Sequence, residues 1–353
     1  MSADGLAAVL SSRAVGTASY RGREVATSYG DVVAEWRALD EATGLVDFSF
    51  LTDIVATGDE RVEFLQGQLS QDVSDLRDGG GTPALALTVQ GRVQAILGLY
   101  ARGDGIDIVV DATGRDTARQ RLEQFLVADD VEFEDGPCRE RIGVVGPGCH
   151  ELLARACGVT VSGQWWWTRT IEIAGVPVSL RGRGDLRVPS VDIAVEDGAL
   201  KVWRALEELG AEPAGCNALE ILRVESGLPL LGVDLDEHRF AVEARLEWAI
   251  HFNKGCYVGQ EVIERAVSRG RVNRELCLLG AAEPVVVGVR VAGGSERDVV
   301  TSAAVSPGLG PVCLAYVPRD AAVEGTELRL ESETGVTAVR VLRWPRSRSL
   351  AGR

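Results

Sequence analysis

The chain has 353 residues, too many for one compact core, so two or three domains are expected. Hydrophobic residues make up 46% and charged residues 25%, the balance of a globular protein, and 41 glycines scattered among short apolar runs point to an α+β fold rather than a helical bundle. A net charge of −15 repels phosphate backbones and excludes non-specific nucleic-acid binding.

Two segments of the chain follow one plan. The first, from Ile54 to about Phe133, opens with a short strand and a polar turn at Gly58–Glu60, then a helix carrying Val62, Phe64 and Leu65. The runs A-L-A-L-T-V and V-Q-A-I-L-G-L-Y read as strands joined at Gln90–Gly91. I-D-I-V-V is a third strand, leading through Gly114 into a helix whose apolar face holds Ala118, Leu122, Phe125 and Leu126.

The second segment, from Ile142 to about Leu209, repeats that order. I-G-V-V-G-P-G is a strand and turn, and H-E-L-L-A-R-A-C-G a short helix closed by glycine. T-I-E-I-A-G-V-P-V-S-L is a hairpin, and V-D-I-A-V leads into a helix that Gly210 and Pro213 stop. The likeness of I-D-I-V-V-D-A-T-G to V-D-I-A-V-E-D-G is the clearest trace of a duplication. From Leu276 onward, alternating apolar runs broken by Gly and Pro read as an antiparallel barrel or sandwich.

Cys138, Cys149, Cys157, Cys216, Cys256, Cys277 and Cys313 never form C-x-x-C, so neither a disulfide framework nor a zinc ribbon is indicated, and reduced thiols are expected. His150, His238 and His251 make no metal pattern. The N-terminus lacks a secretory signal, and no run reaches the ~20 apolar residues of a membrane span. The expectation is a soluble, cytoplasmic protein with no membrane partner. Arg265, Arg269, Arg271 and Arg274 form a basic strip, read as a solvated helix end.

Between the repeats and the barrel lies N-K-G-C-Y-V-G-Q-E-V-I-E-R. Gly255 and Gly259 permit a tight turn, and Glu261 begins a helix. Cys256 then sits near a helix N-terminus and two residues from Lys254, both of which favour thiolate over thiol. The bland alternative is a small buried cysteine in a turn.

K-G-C-Y-V-G-Q-E, from Lys254 to Glu261, closely resembles the motif of the YgfZ-type folate-binding proteins, relatives of the glycine-cleavage T-protein. Upstream, Arg223, Glu225, Gly227, Pro229, Gly232 and Asp234 fit that superfamily's R-x-E-x-G-x-P-x-x-G-x-D. The resemblance implies a three-lobed ring around a central channel that takes tetrahydrofolate. Its lobes are residues 1–53 with 137–245, residues 54–136 with 246–274, and a C-terminal β-barrel over 275–353. It implies iron–sulfur enzymes as possible partners and a role in tRNA modification. It also implies Cys256 and Lys254 as the functional thiol and its neighbour, with Tyr257, Gln260 and Arg223 beside the folate.

T-proteins carry acids at the end of the second strand of the first repeat. Gln94 and Ala95 stand there in this chain, so an aminomethyltransferase would need another carboxylate, such as Asp72 or Asp111. A plain folate-binding module is a further alternative. The pterin edge suits a carboxylate accepting two hydrogen bonds, and the matching position is Asp192, while a second contact, an arginine in T-proteins, falls at Leu219. Trp165, Trp166 and Trp167 cannot all face one side of a strand. The expectation is a lip of the core, with at least one exposed.

Overall fold

The structure is a computed structural model that describes residues 5–345 except 138, 162, 164, 269–271 and 334. Cys138 and the basic-strip residues Arg269 and Arg271 therefore lie outside the described residues.

The first repeat forms a five-stranded antiparallel sheet in the order Gly81–Leu87, Val93–Arg102, Gly105–Asp111, Leu51–Thr57 and Glu132–Asp135. Along Gly105–Asp111 the side chains alternate. Ile106, Ile108 and Val110 join a core covered by helices Arg61–Gln68 and Arg115–Glu123, leaving Asp107 and Val109 for the opposite face. The second repeat builds the same unit from Thr168–Ile173, Val176–Arg183, Ser190–Val195 and Glu140–Val145. Val191, Ile193 and Val195 pack beneath helices Cys149–Cys157 and Ala199–Glu208, so Asp192 and Ala194 point the other way. This sheet is extended by Gly44–Asp47 and Glu212–Pro213.

The two repeats share one register. In the first, Gly98, Tyr100 and Arg102 lie opposite Val109, Asp107 and Gly105. In the second, Ser179, Arg181 and Arg183 lie opposite Ala194, Asp192 and Ser190. Asp53, opposite Val109, likewise corresponds to Arg141, opposite Ala194. The faces of the two sheets not covered by helices meet each other, and the hydrogen bonds Gly81 N to Trp166 O and Thr168 N to Gly79 O, each 2.9 Å, tie one sheet to the other.

The C-terminal sheet has six strands, Arg290–Val291, Glu327–Ser332, Gly335–Val341, Arg274–Ala281, Gly310–Pro318 and Val300–Ser306 in spatial order. A bridge between Arg290 and Val299 brings its edges together, so the sheet curls around the apolar core of Leu279, Val300, Cys313 and Val339. The N-terminal hairpin Gly16–Tyr20 and Arg23–Ser28 turns at Arg21–Gly22, both with positive φ (48° and 83°). A Cβ on Gly22 would stand 2.9 Å from Thr113, so glycine lets this tip press against the first repeat. No helix among the described residues is long and apolar enough to cross a membrane.

Candidate functional site

A cleft of about 220 Å3 opens where the two sheets diverge. Its floor is the first repeat's Ile96–Gly98 and Val109–Asp111. Arg183 and Asp185 of the second repeat, the segment Leu228–Gly232, and the side chains of Arg21, Trp166 and Trp248 form its walls. Gly98 keeps the floor open, because a Cβ there would lie 3.1 Å from the Trp166 ring.

Trp166 stacks on Trp248 at 6.2 Å with an interplanar angle of 17°, and its other neighbour is Tyr100 at 6.2 Å. Its φ of 58° is unusual for a bulky residue and places local strain at the cleft wall. Trp167 is buried in the second repeat's core, and Trp165 is half-buried. The triplet is thus partly core and partly cleft wall, and none of the three is fully exposed.

Two acids line the cleft. Asp111 pairs with Arg21 at 3.3 Å, and the Arg21 guanidinium lies over the Phe50 ring at 4.9 Å. The Nε of Arg21 is buried without a protein partner. Asp185 pairs with Arg183 through two contacts, the Nε one at 3.3 Å. Burial works to lower the Arg183 pKa, but Asp185 outweighs it and holds the guanidinium above the ordinary arginine range. The strand stretch Ala95–Gly98 adds no ionisable side chain, and Ala95 itself is buried in the first repeat's core. Asp72 is outside the cleft and bonds Ser74.

These groups suit a flat, nitrogen-rich ring: an aromatic wall, an open floor, and carboxylates to accept N–H bonds. The volume falls short of the ~300–1,000 Å3 of drug-sized sites, so it suits one ring system rather than a whole extended ligand.

Asp192 is elsewhere. It is fully buried and receives Arg141 through Nε at 2.9 Å and through Nη2. Arg141 also reaches Asp53 at 2.8 Å, Arg181 bonds Asp53 at 2.7 Å and contacts Asp107, and Arg139 reaches Asp53 at 3.1 Å. Burial acts to raise the Asp53 pKa, but Arg141 and Arg181 outweigh it and hold the carboxyl well below its usual range. The expected pterin-facing acid is therefore a member of a buried ionic cluster joining the two sheets. The V-D-I pattern located the acid but not the face it meets.

Arg223 belongs to another buried cluster. Nearly fully buried, it donates to the Leu228 carbonyl at 2.6 Å, to Asp234 at 2.8 Å, to Glu220 at 2.6 and 2.8 Å, and to the Ser302 hydroxyl at 2.6 Å. It holds the chain that forms the Leu228–Gly232 wall, and it lines a smaller pocket that adjoins the cleft and shares Arg21, Leu51, Arg183, Asp185 and Leu228 with it. Leu219 is buried in the neighbouring core, and the cleft's arginines are instead Arg21 and Arg183.

No residue of Lys254–Glu261 lines the cleft. Lys254 Nζ is turned inward, donating to the carbonyls of Gln66, Leu69 and Gln71 at 2.6, 2.8 and 2.8 Å, at the end of helix Arg61–Gln68. Burial lowers its pKa to about 8, with Asp72 opposing. Its charge thus serves a helix terminus rather than Cys256. Tyr257 is buried in the core against the C-terminal sheet, and burial pushes its pKa up to about 12. Gln260 accepts from Tyr257 N at 3.2 Å and donates to Glu264 at 2.6 Å. Cys256 is exposed and stands four residues before the start of helix Gln260–Ser268.

Two α+β repeats with facing sheets, a curled C-terminal sheet and a cleft between them define a T-protein fold. The crystal structure of the glycine cleavage system aminomethyltransferase T from Bartonella henselae superposes with a TM-score of 0.83 over 96% of this chain and 95% of that one, at 24% identity. Residues 9–254 match the family described as the GCVT N-terminal domain, and the chain belongs to that family. Aminomethyltransferases from Rubrobacter xylanophilus and a Synechococcus strain are 32% and 30% identical to it. The first covers 85% of this chain and 82% of the relative, the second 88% and 89%. A putative chloroplastic transferase of Arabidopsis thaliana is 26% identical over 85% of this chain and 71% of its own length.

Proposed function

We propose that this chain holds a reduced folate in the cleft and serves as an accessory protein to iron–sulfur enzymes and the tRNA modification that depends on them, in the manner of the YgfZ-type proteins its Lys254–Glu261 motif resembles. The observation that carries the folate part is the cleft itself: Asp111 and Asp185 beside a Trp166–Trp248 wall over an open glycine floor. A reduced folate supplies ring and bridge nitrogens able to carry a one-carbon group. The chain's own residues orient and shield it. Asp185, fixed by Arg183, and Asp111, fixed by Arg21, accept ring N–H bonds, and the stacked indoles exclude water. The accessory part is supported by the motif resemblance and by Cys256, whose exposed thiol outside the cleft is available to a protein partner.

A second reading, folate-dependent aminomethyl transfer, is favoured by the names of the relatives and by Asp111, a carboxylate at the cleft that the Ala95–Gly98 stretch does not provide. Calorimetric titration with tetrahydrofolate, followed by an aminomethyl-transfer assay with a lipoyl carrier, separates the two. The accessory reading expects saturable binding and no turnover. Turnover abolished by Asp111→Asn would replace it with the transferase, and absence of tetrahydrofolate binding would overturn both.

A further inference from the structure

The shared register of the repeats relates the cleft to a second cavity. The cleft's floor positions Gly98, Val109 and Asp111 of the first repeat correspond to Ser179, Ala194 and Glu196 of the second. Those three residues line another pocket, of about 370 Å3, together with Pro177 and Val178. The reciprocity extends to the walls. Arg183 of the second repeat overhangs the first repeat's floor, and its counterpart Arg102 overhangs the second repeat's floor. An arginine also pairs with the strand-end acid in each: Arg21 with Asp111, and Arg139 with Glu196 at 3.2 Å.

The two cavities differ in what they could hold. The cleft has stacked indoles and a glycine floor; the second pocket has no aromatic lining among the described residues, and Ser179 in place of the glycine. Ser179 is 7% exposed, and its buried Oγ has no protein partner. Arg102 is 44% exposed and makes only long contacts, 3.4 Å, to Asp107. Asp197 stands exposed at the rim. A cation, a hydroxyl and a carboxylate thus border one cavity whose floor is apolar. We propose that this pocket is a second ligand site, which takes a small α-amino-acid-like zwitterion: its carboxylate on Arg102 and the Ser179 hydroxyl, its ammonium on Asp197. Glu196 remains with Arg139, and the apolar floor of Pro177 and Ala194 leaves room for a short side chain. The site is separate from the cleft and does not depend on what the cleft binds.

The test uses the full chain, with L-alanine as probe and propionate and ethylamine as its single-charge halves, read by ligand-observed NMR. Saturable alanine binding is expected, with each half weaker by about tenfold or more, since each lacks one charged hydrogen-bonding group. Arg102→Gln, Ser179→Ala and Asp197→Asn should each weaken alanine. Ser179→Ala should do so without changing the melting temperature, because the hydroxyl has no protein partner to lose. Tetrahydrofolate titrations of the same variants should match the unmodified chain. No saturation by alanine up to ~10 mM, well beyond a weak millimolar site, would overturn the proposal. So would propionate binding as tightly as alanine, or alanine binding that ignores all three substitutions.

Discussion

The two repeats are alike where they face their helices and unlike where they face each other. On the helix side both strands carry the same apolar alternation, Ile106, Ile108 and Val110 in one and Val191, Ile193 and Val195 in the other. On the facing side, Asp53 meets its counterpart Arg141, and Tyr100 lies under its counterpart Arg181 with the guanidinium 5.6 Å from the ring. Asp107 and Asp192 keep the same residue type, as do Arg102 and Arg183 at the strand ends, and Arg181 and Arg141 lie between the two aspartates. A duplicated unit can keep its core pattern unchanged, since each copy buries it against its own helices. The interface between copies cannot be self-complementary if every position carries the same charge, so it is here that the copies have diverged.

The contrast is broken most severely by removing Asp53, which bonds both Arg141 and Arg181. Asp53→Ala takes one carboxylate from two buried guanidinium groups, leaving Arg141 with Asp192 and Arg181 with Asp107, and is expected to cost about 3–5 kcal/mol in urea unfolding, or to prevent folding. The pH dependence has a definite sign. The folded pKa of Asp53 lies below its unfolded value, so between the two the unfolded chain binds the additional proton. Stability is therefore full above pH ~4 and falls as the pH drops through that window. Stability that stayed flat from pH 5 to 3 would show that the cluster contributes no net charge stabilisation.

A smaller effect is expected at Lys254, which serves only one repeat, through helix Arg61–Gln68. Lys254→Ala leaves three carbonyls without their shared donor and should cost about 1–3 kcal/mol. Alkylation at Cys256 should proceed at nearly the same rate, since the ammonium is engaged inside. A marked slowing of Cys256 alkylation with unchanged stability would restore Lys254 as the thiol's charge partner. Cys149, Cys216, Cys277 and Cys313 are all buried, and burial raises the pKa of each to about 11 or 12. Mapped by mass spectrometry, these four should react after Cys256.

The repeats, their hairpins and the curled C-terminal sheet were legible in the sequence because period-two alternation and glycine turns are local signals. The I-D-I and V-D-I strands even revealed the correspondence of Asp107 with Asp192. What those acids touch was not legible, because a buried acid on a strand reads the same whether it meets a ligand or an arginine of another sheet. Asp185 and Arg183 escaped notice in a loop-bordering R-G-R-G-D stretch with no periodicity. Arg21 reaches the cleft only because an N-terminal hairpin, absent from the sequence reading, packs its tip there. The Lys254–Glu261 motif was read correctly as a tight turn before a helix, but its lysine and tyrosine point into the protein and not toward the cleft.

The central claim is that the folate-type site is the cleft with Asp185, and that Asp192 holds the repeats together. Paired tetrahydrofolate titrations and thermal melts of Asp185→Ala and Asp192→Ala test it most directly. Asp185→Ala should weaken binding of the folded fraction by roughly 10- to 100-fold, the loss of a charged hydrogen-bonding pair, and it also lowers the melting temperature because Arg183 loses its partner. Asp192→Ala should lower the melting temperature by several degrees while the folded fraction binds with nearly unchanged affinity. The opposite pattern, affinity lost at Asp192 with melting intact and Asp185 without effect, would contradict the account.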